Sequence, residues 1–94
     1  MNTMQIAELK VLQLKMSNKI KVSSLPPKIK DLIIDEIYNV KMHMVTYYNK
    51  SDSVVRAEFK GKVVGRVTAK LNEVGINGIH ADKIIEIIKG IDLK

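Results

Sequence analysis

Apolar residues recur along the first part of the chain at spacings of three and four. Met4, Ala7, Val11 and Leu14 form such a stripe, widened by Ile6, Leu9 and Leu12, and predict a helix over residues 4–15. Met16-Ser-Asn18 interrupts the pattern. Lys19-Ile-Lys-Val22 then alternates lysine with a β-branched residue, which reads as a short strand with one wet face. Ser23-Ser-Leu-Pro-Pro27 is loop chemistry. Pro27 suits the first turn of a following helix, where its missing N–H would be unpaired anyway. That helix is expected from about Lys28 to Asn39, burying Ile29, Leu32, Ile33, Ile37 and Val40.

The centre of the chain changes period. Met42 to Tyr48 holds Val45, Thr46, Tyr47 and Tyr48, residues that fit a pleated surface, and Asn49-Lys-Ser-Asp52 is turn chemistry. Beyond it Val55, Ala57, Phe59, Val63, Val67, Ala69 and Leu71 share one side of a period-two pattern. Arg56, Glu58, Lys60, Lys62, Arg66, Thr68 and Lys70 share the other. Lys60-Gly61-Lys62 closes this into a hairpin, with a three-residue loop that pairs Phe59 with Val63 and Val55 with Val67.

Asn72 to Gly78 is a second glycine-bearing connection. Asp82 to Lys89 carries Ile84, Ile85, Ile87 and Ile88 and predicts a last helix stopped by Gly90, with Asp82 favouring its positive end. Ninety-four residues support one hydrophobic core, so residues 1–94 read as a single small domain. The expected class is α+β: helix–strand–helix, then an antiparallel hairpin or three-stranded sheet, then a C-terminal helix. A rival parse takes 53–76 as two helices, with Val64–Val74 as the recognition helix of a small winged-helix DNA-binding regulator. Gly61 and Gly65 count against it, at about 1 kcal/mol each in a helix interior.

Charge sharpens the picture. Sixteen basic residues face ten acidic ones, giving +6. Residues 1–30 carry six Lys and one Glu, and residues 50–70 carry six basic residues and two acids. Positive charge gathered into two segments is the footprint of a polyanion partner. No cysteine is present, which removes disulfides, thiolate metal sites and a cysteine nucleophile. The start of the chain, interrupted by Glu8 and Lys10, lacks the pattern of a secretory signal, and no apolar run approaches the roughly 18 residues that span a bilayer. An intracellular protein off the membrane is expected.

Catalytic chemistry finds little support. His43 and His80 are far apart and neither has a carboxylate three or four residues on, so no metal site is expected. Asp35 and Glu36 are adjacent, and neighbouring helical residues point different ways. Serines 17, 23, 24, 51 and 53 lie in turn-like segments without a glycine elbow. Gly61-Lys62 and Gly65-Arg66 do not form a phosphate loop. The reading is a protein that is not an enzyme and takes no cofactor.

The basic positions are the candidate site: Lys19 and Lys21 on the first strand, Lys28 and Lys30 at the start of the second helix, and Lys60, Lys62, Arg66 and Lys70 on the hairpin. Fourteen of the sixteen basic residues are Lys. Lysine meets phosphate as a point charge, whereas arginine makes the bidentate contacts that read guanine. Backbone recognition is favoured over sequence-specific reading of DNA. Tyr47, Tyr48 and Phe59 are the only aromatics near this region, too few for a stacking platform on their own.

The stretch Gly61-Lys-Val-Val-Gly-Arg-Val-Thr-Ala-Lys-Leu-Asn-Glu-Val-Gly-Ile76 resembles the middle of the small-subunit ribosomal protein eight family of archaea and eukaryotes. Gly61, Lys62, Val64, Leu71, Asn72 and Gly75 match the family's pattern without a gap. Val22 and Pro27-Lys-Ile-Lys30 are similar to its first strand and second helix start. The family's C-terminal half, with its main hold on ribosomal RNA, has no counterpart here. The resemblance implies a helix–strand–helix–strand–strand module that contacts rRNA on the ribosome, in the cytoplasm or an organelle, beside other ribosomal proteins. RNA is the partner it favours over DNA.

Overall fold

A computed structural model describes residues 1–50 and 54–93. Four helices follow one another: α1 (Thr3–Lys21), α2 (Pro27–Tyr47), α3 (Val55–Glu73) and α4 (Gly78–Lys89). No strand occurs among the described residues. The expected α+β class, with its hairpin or sheet, is therefore overturned, and so is the sheet that the ribosomal resemblance implied. The chain folds as an all-α bundle.

Helix α1 opens on a capping box. The Asn2 side chain accepts from the Gln5 amide at 2.8 Å, and the Gln5 side chain accepts from the Asn2 amide at 3.2 Å. The helix does not break at Met16-Ser-Asn18 but runs to Lys21, because Met16 and Ile20 extend a buried stripe begun by Leu9 and Leu12. Lys19 to Val22 is no strand: Ile20 is fully buried, while Val22, its would-be neighbour on one face, is 82% exposed. The stripe Met4, Ala7, Val11 and Leu14 is the outer face. Two apolar stripes share this helix, and the partner helices select the one that Leu9, Leu12 and Met16 extend into Ile20.

Pro27 is the first residue of α2, as its chemistry predicts. This helix continues past Asn39 to Tyr47, through the segment that reads as sheet. Val40, Met44 and Tyr48 step along its buried side after Ile33 and Ile37. Thr46 donates its hydroxyl to the Met42 carbonyl at 3.1 Å, which satisfies it within the helix. Packing overrides β propensity here. Of the expected turn 49–52, Ser51 and Asp52 lie outside the described residues.

Helix α3 replaces the expected hairpin. Val55, Phe59, Val63, Val67 and Leu71 are all fully buried. A four-residue step satisfies both a strand of period two and a helix, so these five positions cannot separate them. Ala57 and Ala69 can: a strand places them with Val55 and Leu71, whereas both are exposed, as positions half a helical turn away must be. Each four-residue step also turns the stripe by about 40° around the axis. The stripe spirals, and α3 meets α1, α2 and α4 with successive parts of it. The rival parse anticipates helix here, but as two helices; α3 is one.

Its end is a Schellman motif. Gly75, at φ +84°, donates to the Asn72 carbonyl at 3.1 Å, and Ile76 donates to the Leu71 carbonyl at 2.8 Å. Helix α4 then begins at Gly78, so Asp82 falls in its second turn rather than at its positive end. Gly90 follows its last residue as expected, though at φ −77° rather than in the left-handed region. Ala81, Ile84 and Ile88 face α3, and Ile91 and Leu93 extend the seam beyond the helix.

Three ion pairs fix the directions of the helices. Arg56 of α3 meets Glu8 of α1 at 3.0 Å, Arg66 of α3 meets Glu36 of α2 at 2.9 Å, and Lys50 meets Glu58 of α3 at 3.0 Å. Helix α3 therefore runs alongside α1 and antiparallel to α2. The α1–α2 elbow and the end of α3 share one end of the bundle.

Candidate nucleic-acid interface

The predicted basic residues divide into two groups and one outlier. Lys19, Lys21, Lys28 and Lys30 meet at the α1–α2 elbow, which joins the last turn of α1 to the first turn of α2. Lys30 donates its ammonium to the Lys21 carbonyl at 2.8 Å, answering one of the unpaired carbonyls of the α1 C-terminus. Lysines in a last turn also complement the negative end of the helix dipole. The first turn of α2 contains no acid and its N-cap, Pro26, offers no side-chain acceptor. Among the described residues, no carboxylate pairs with Lys19, Lys21 or Lys28. The elbow gathers four lysines, three of which have no carboxylate within ion-pair distance among the described residues.

Lys62, Arg66 and Lys70 form the second group, one turn apart along α3. They are brought together as predicted, but by a helical step of four rather than by a strand. Two of the three are partly neutralised: Arg66 pairs with Glu36, and Lys70 lies 3.7 Å from Glu73. Lys62 has no ion pair among the described residues. Lys60 is the outlier. Its ammonium donates to the Ile91 carbonyl at 2.7 Å, on the flank that faces the C-terminal segment, and so anchors that segment to α3. It belongs to the fold rather than to the basic surface.

A cleft of about 150 Å³ opens beside Lys62, between the end of α2 and the first half of α3. His43, Tyr47, Asn49, Lys50 and Glu58 share its wall. His43 and Tyr47 lie one turn apart, with ring centroids 4.8 Å apart at an interplanar angle of 45°. The Glu58 carboxyl is held below the usual carboxylate value, first by its hydrogen bond to Lys50 and then by that ammonium's charge, and Lys62 acts in the same direction. Lys50 is correspondingly raised by Glu58. The wall thus carries two lysines and one carboxylate.

Tyr47, Tyr48 and Phe59 are the aromatics that the sequence sets near the basic residues. Phe59 is fully buried and Tyr48 nearly so, leaving Tyr47 alone of the three at the surface, 72% exposed. His43 is its companion. The spacing of four between His43 and Tyr47 is the pattern that marks the pair, visible only once 42–48 is read as helix. Ser17, expected in a turn, is buried within α1. Gly61 and Gly65 stand on the outer side of α3, where an added methyl group would meet nothing within 4 Å.

Among the described residues no cluster of three His, Asp or Glu is placed to hold a metal ion. No described helix is long and apolar enough to cross a membrane. Comparison with protein-family models, with curated proteins and with solved structures finds no match to this chain.

Proposed function

We propose that this chain is a non-catalytic nucleic-acid-binding protein that holds the phosphate backbone. The observation that carries the reading is the α1–α2 elbow, where Lys19, Lys21 and Lys28 stand exposed with no carboxylate partner among the described residues. Clustered lysine contacts phosphates without reading base edges. Lys62, Arg66 and Lys70 extend positive charge along α3 toward the same end of the bundle. Helix α3 stands where the resembled ribosomal family would place strands. The broader reading, with RNA or DNA as the partner, rests on charge alone and does not need that sheet.

Salt titration tests it. Each phosphate neutralised contributes a slope of about −0.9 in log affinity against log salt on duplexes and about −0.7 on single strands. Changing Lys19, Lys21, Lys28 and Lys62 to Gln is expected to reduce the magnitude of the slope by about two to three, with the helical circular dichroism spectrum unchanged. Absence of salt-dependent binding to any polynucleotide, or an unchanged slope in the variant, refutes the reading.

A further inference from the structure

We infer that the α2–α3 cleft is a subsite for one unpaired nucleobase, which stacks on the Tyr47–His43 pair while its phosphate lies against Lys62. The inference rests on the nucleic-acid reading and names the form of nucleic acid that this chain takes.

The placement of the rings comes from helix geometry. Val40, Met44 and Tyr48 follow the buried side of α2, so His43 and Tyr47, one residue earlier than Met44 and Tyr48, fall together on the flank beside α3. Tyr47 ends the helix with most of its ring in solvent, 72% exposed. A lone exposed tyrosine means little. Two rings in contact at the lip of a cationic cleft are a different matter. Aromatic faces stack unpaired bases of any identity, whereas the bases of a duplex already stack on one another.

The size and charge of the cleft agree with that ligand. At about 150 Å³ it is smaller than the roughly 300–1,000 Å³ of sites that enclose a whole drug-sized molecule, and suits a single planar ring lying at the surface. Lys50 and Glu58 pair across one wall at 3.0 Å, and Lys62, which feels Glu58 only at longer range and makes no ion pair among the described residues, is the cation of the cleft that a phosphate would meet. Asn49 lines the same cleft and makes no hydrogen bond among the described residues. Its amide offers both a donor and an acceptor to a base edge. Gly61 leaves the approach to α3 open beside Lys62.

The test compares the full chain with Tyr47→Ala and Tyr47→Phe, by fluorescence anisotropy on a labelled 12-residue oligouridylate, its DNA equivalent and a duplex of the same length. The wild type is expected to prefer the single strands. Tyr47→Ala should weaken single-strand binding roughly 5- to 150-fold and duplex binding by less than twofold, while Tyr47→Phe stays within about twofold of wild type. Equal single-strand affinity of wild type and Tyr47→Ala, or loss in Tyr47→Phe as large as in Tyr47→Ala, overturns the stacking subsite. If changing only Lys19, Lys21 and Lys28 to Gln still weakens binding in that case, the nucleic-acid reading survives and only the subsite falls. If no polynucleotide binds with salt dependence, both fall. The RNA and DNA arms decide which single strand is preferred.

Discussion

Gly61 and Gly65 lie in the interior of α3 with helical backbone and open space around each α-carbon, whereas Gly75 caps the same helix at φ +84°. The physical cost of a side chain has opposite sign at the two kinds of site. Gly61→Ala and Gly65→Ala remove backbone freedom from the unfolded chain and add no contact, so each should stabilise by about 0.5–1 kcal/mol. Gly75→Ala forces a β-carbon into the left-handed region and should cost about 1–2 kcal/mol. Urea unfolding of the three single variants checks the set. A hairpin centred on Gly61 would make Gly61→Ala destabilising, so this substitution also discriminates between the two folds.

Helix α1 carries two apolar stripes, and its packing uses one. Leu9, Leu12, Met16 and Ile20 are at most 1% exposed, whereas Met4 is 79% exposed and Val11 and Leu14 about half. Leu12→Ala is expected to cost about 2–5 kcal/mol, through lost burial and the cavity left behind. Val11→Gln, one position away, should change stability by no more than about 0.5 kcal/mol. Thermal melts of this pair check which face is inside. The sequence makes the helix legible without choosing its face, since both stripes have the 3.6-residue period. The same limit applies to α3, where four-residue spacing fits a helix and a strand alike, and the exposure of Ala57 and Ala69 decides.

Ion pairs tie the elements into one molecule: Arg56–Glu8 joins α3 to α1, Arg66–Glu36 joins α3 to α2, and Lys50–Glu58 joins the end of the α2 segment to α3. The Glu58 carboxyl lies below its usual value because Lys50 donates to it. A group whose folded value is lowered adds stability above its unfolded value, 4.5 here, and loses it as the pH falls through the folded one. Protonating the carboxylates also raises the net charge above +6, which adds self-repulsion. The melting temperature is therefore expected to fall as the pH drops below about 4.5, and Glu58→Gln should remove part of that dependence by lowering stability at pH 7 but not at pH 3. Equal loss at both pH values would show that the pair contributes nothing through its charge.

Local chemistry alone determined where Pro27 opens α2, where the glycine-bearing break after α3 falls, where α4 stops, and that the lysines crowd two segments. Each of these depends on a residue and its immediate neighbours. Tertiary structure decided the rest. It carried α1 through Met16-Ser-Asn18 and α2 through Val45-Thr-Tyr47, because burying Ile20, Met44 and Tyr48 outweighs a propensity difference of a few tenths of a kcal/mol per residue. It made one helix of residues 55–73, since their apolar residues had three helices to face rather than one side of a sheet. It also sorted the basic residues by their surroundings: Lys60 went to a backbone carbonyl, Arg66 and Lys70 to carboxylates, and Lys19, Lys21, Lys28 and Lys62 were left facing water. Charge is written in the sequence, but whether a charge is spent inside the molecule depends on which side chains the fold sets beside it.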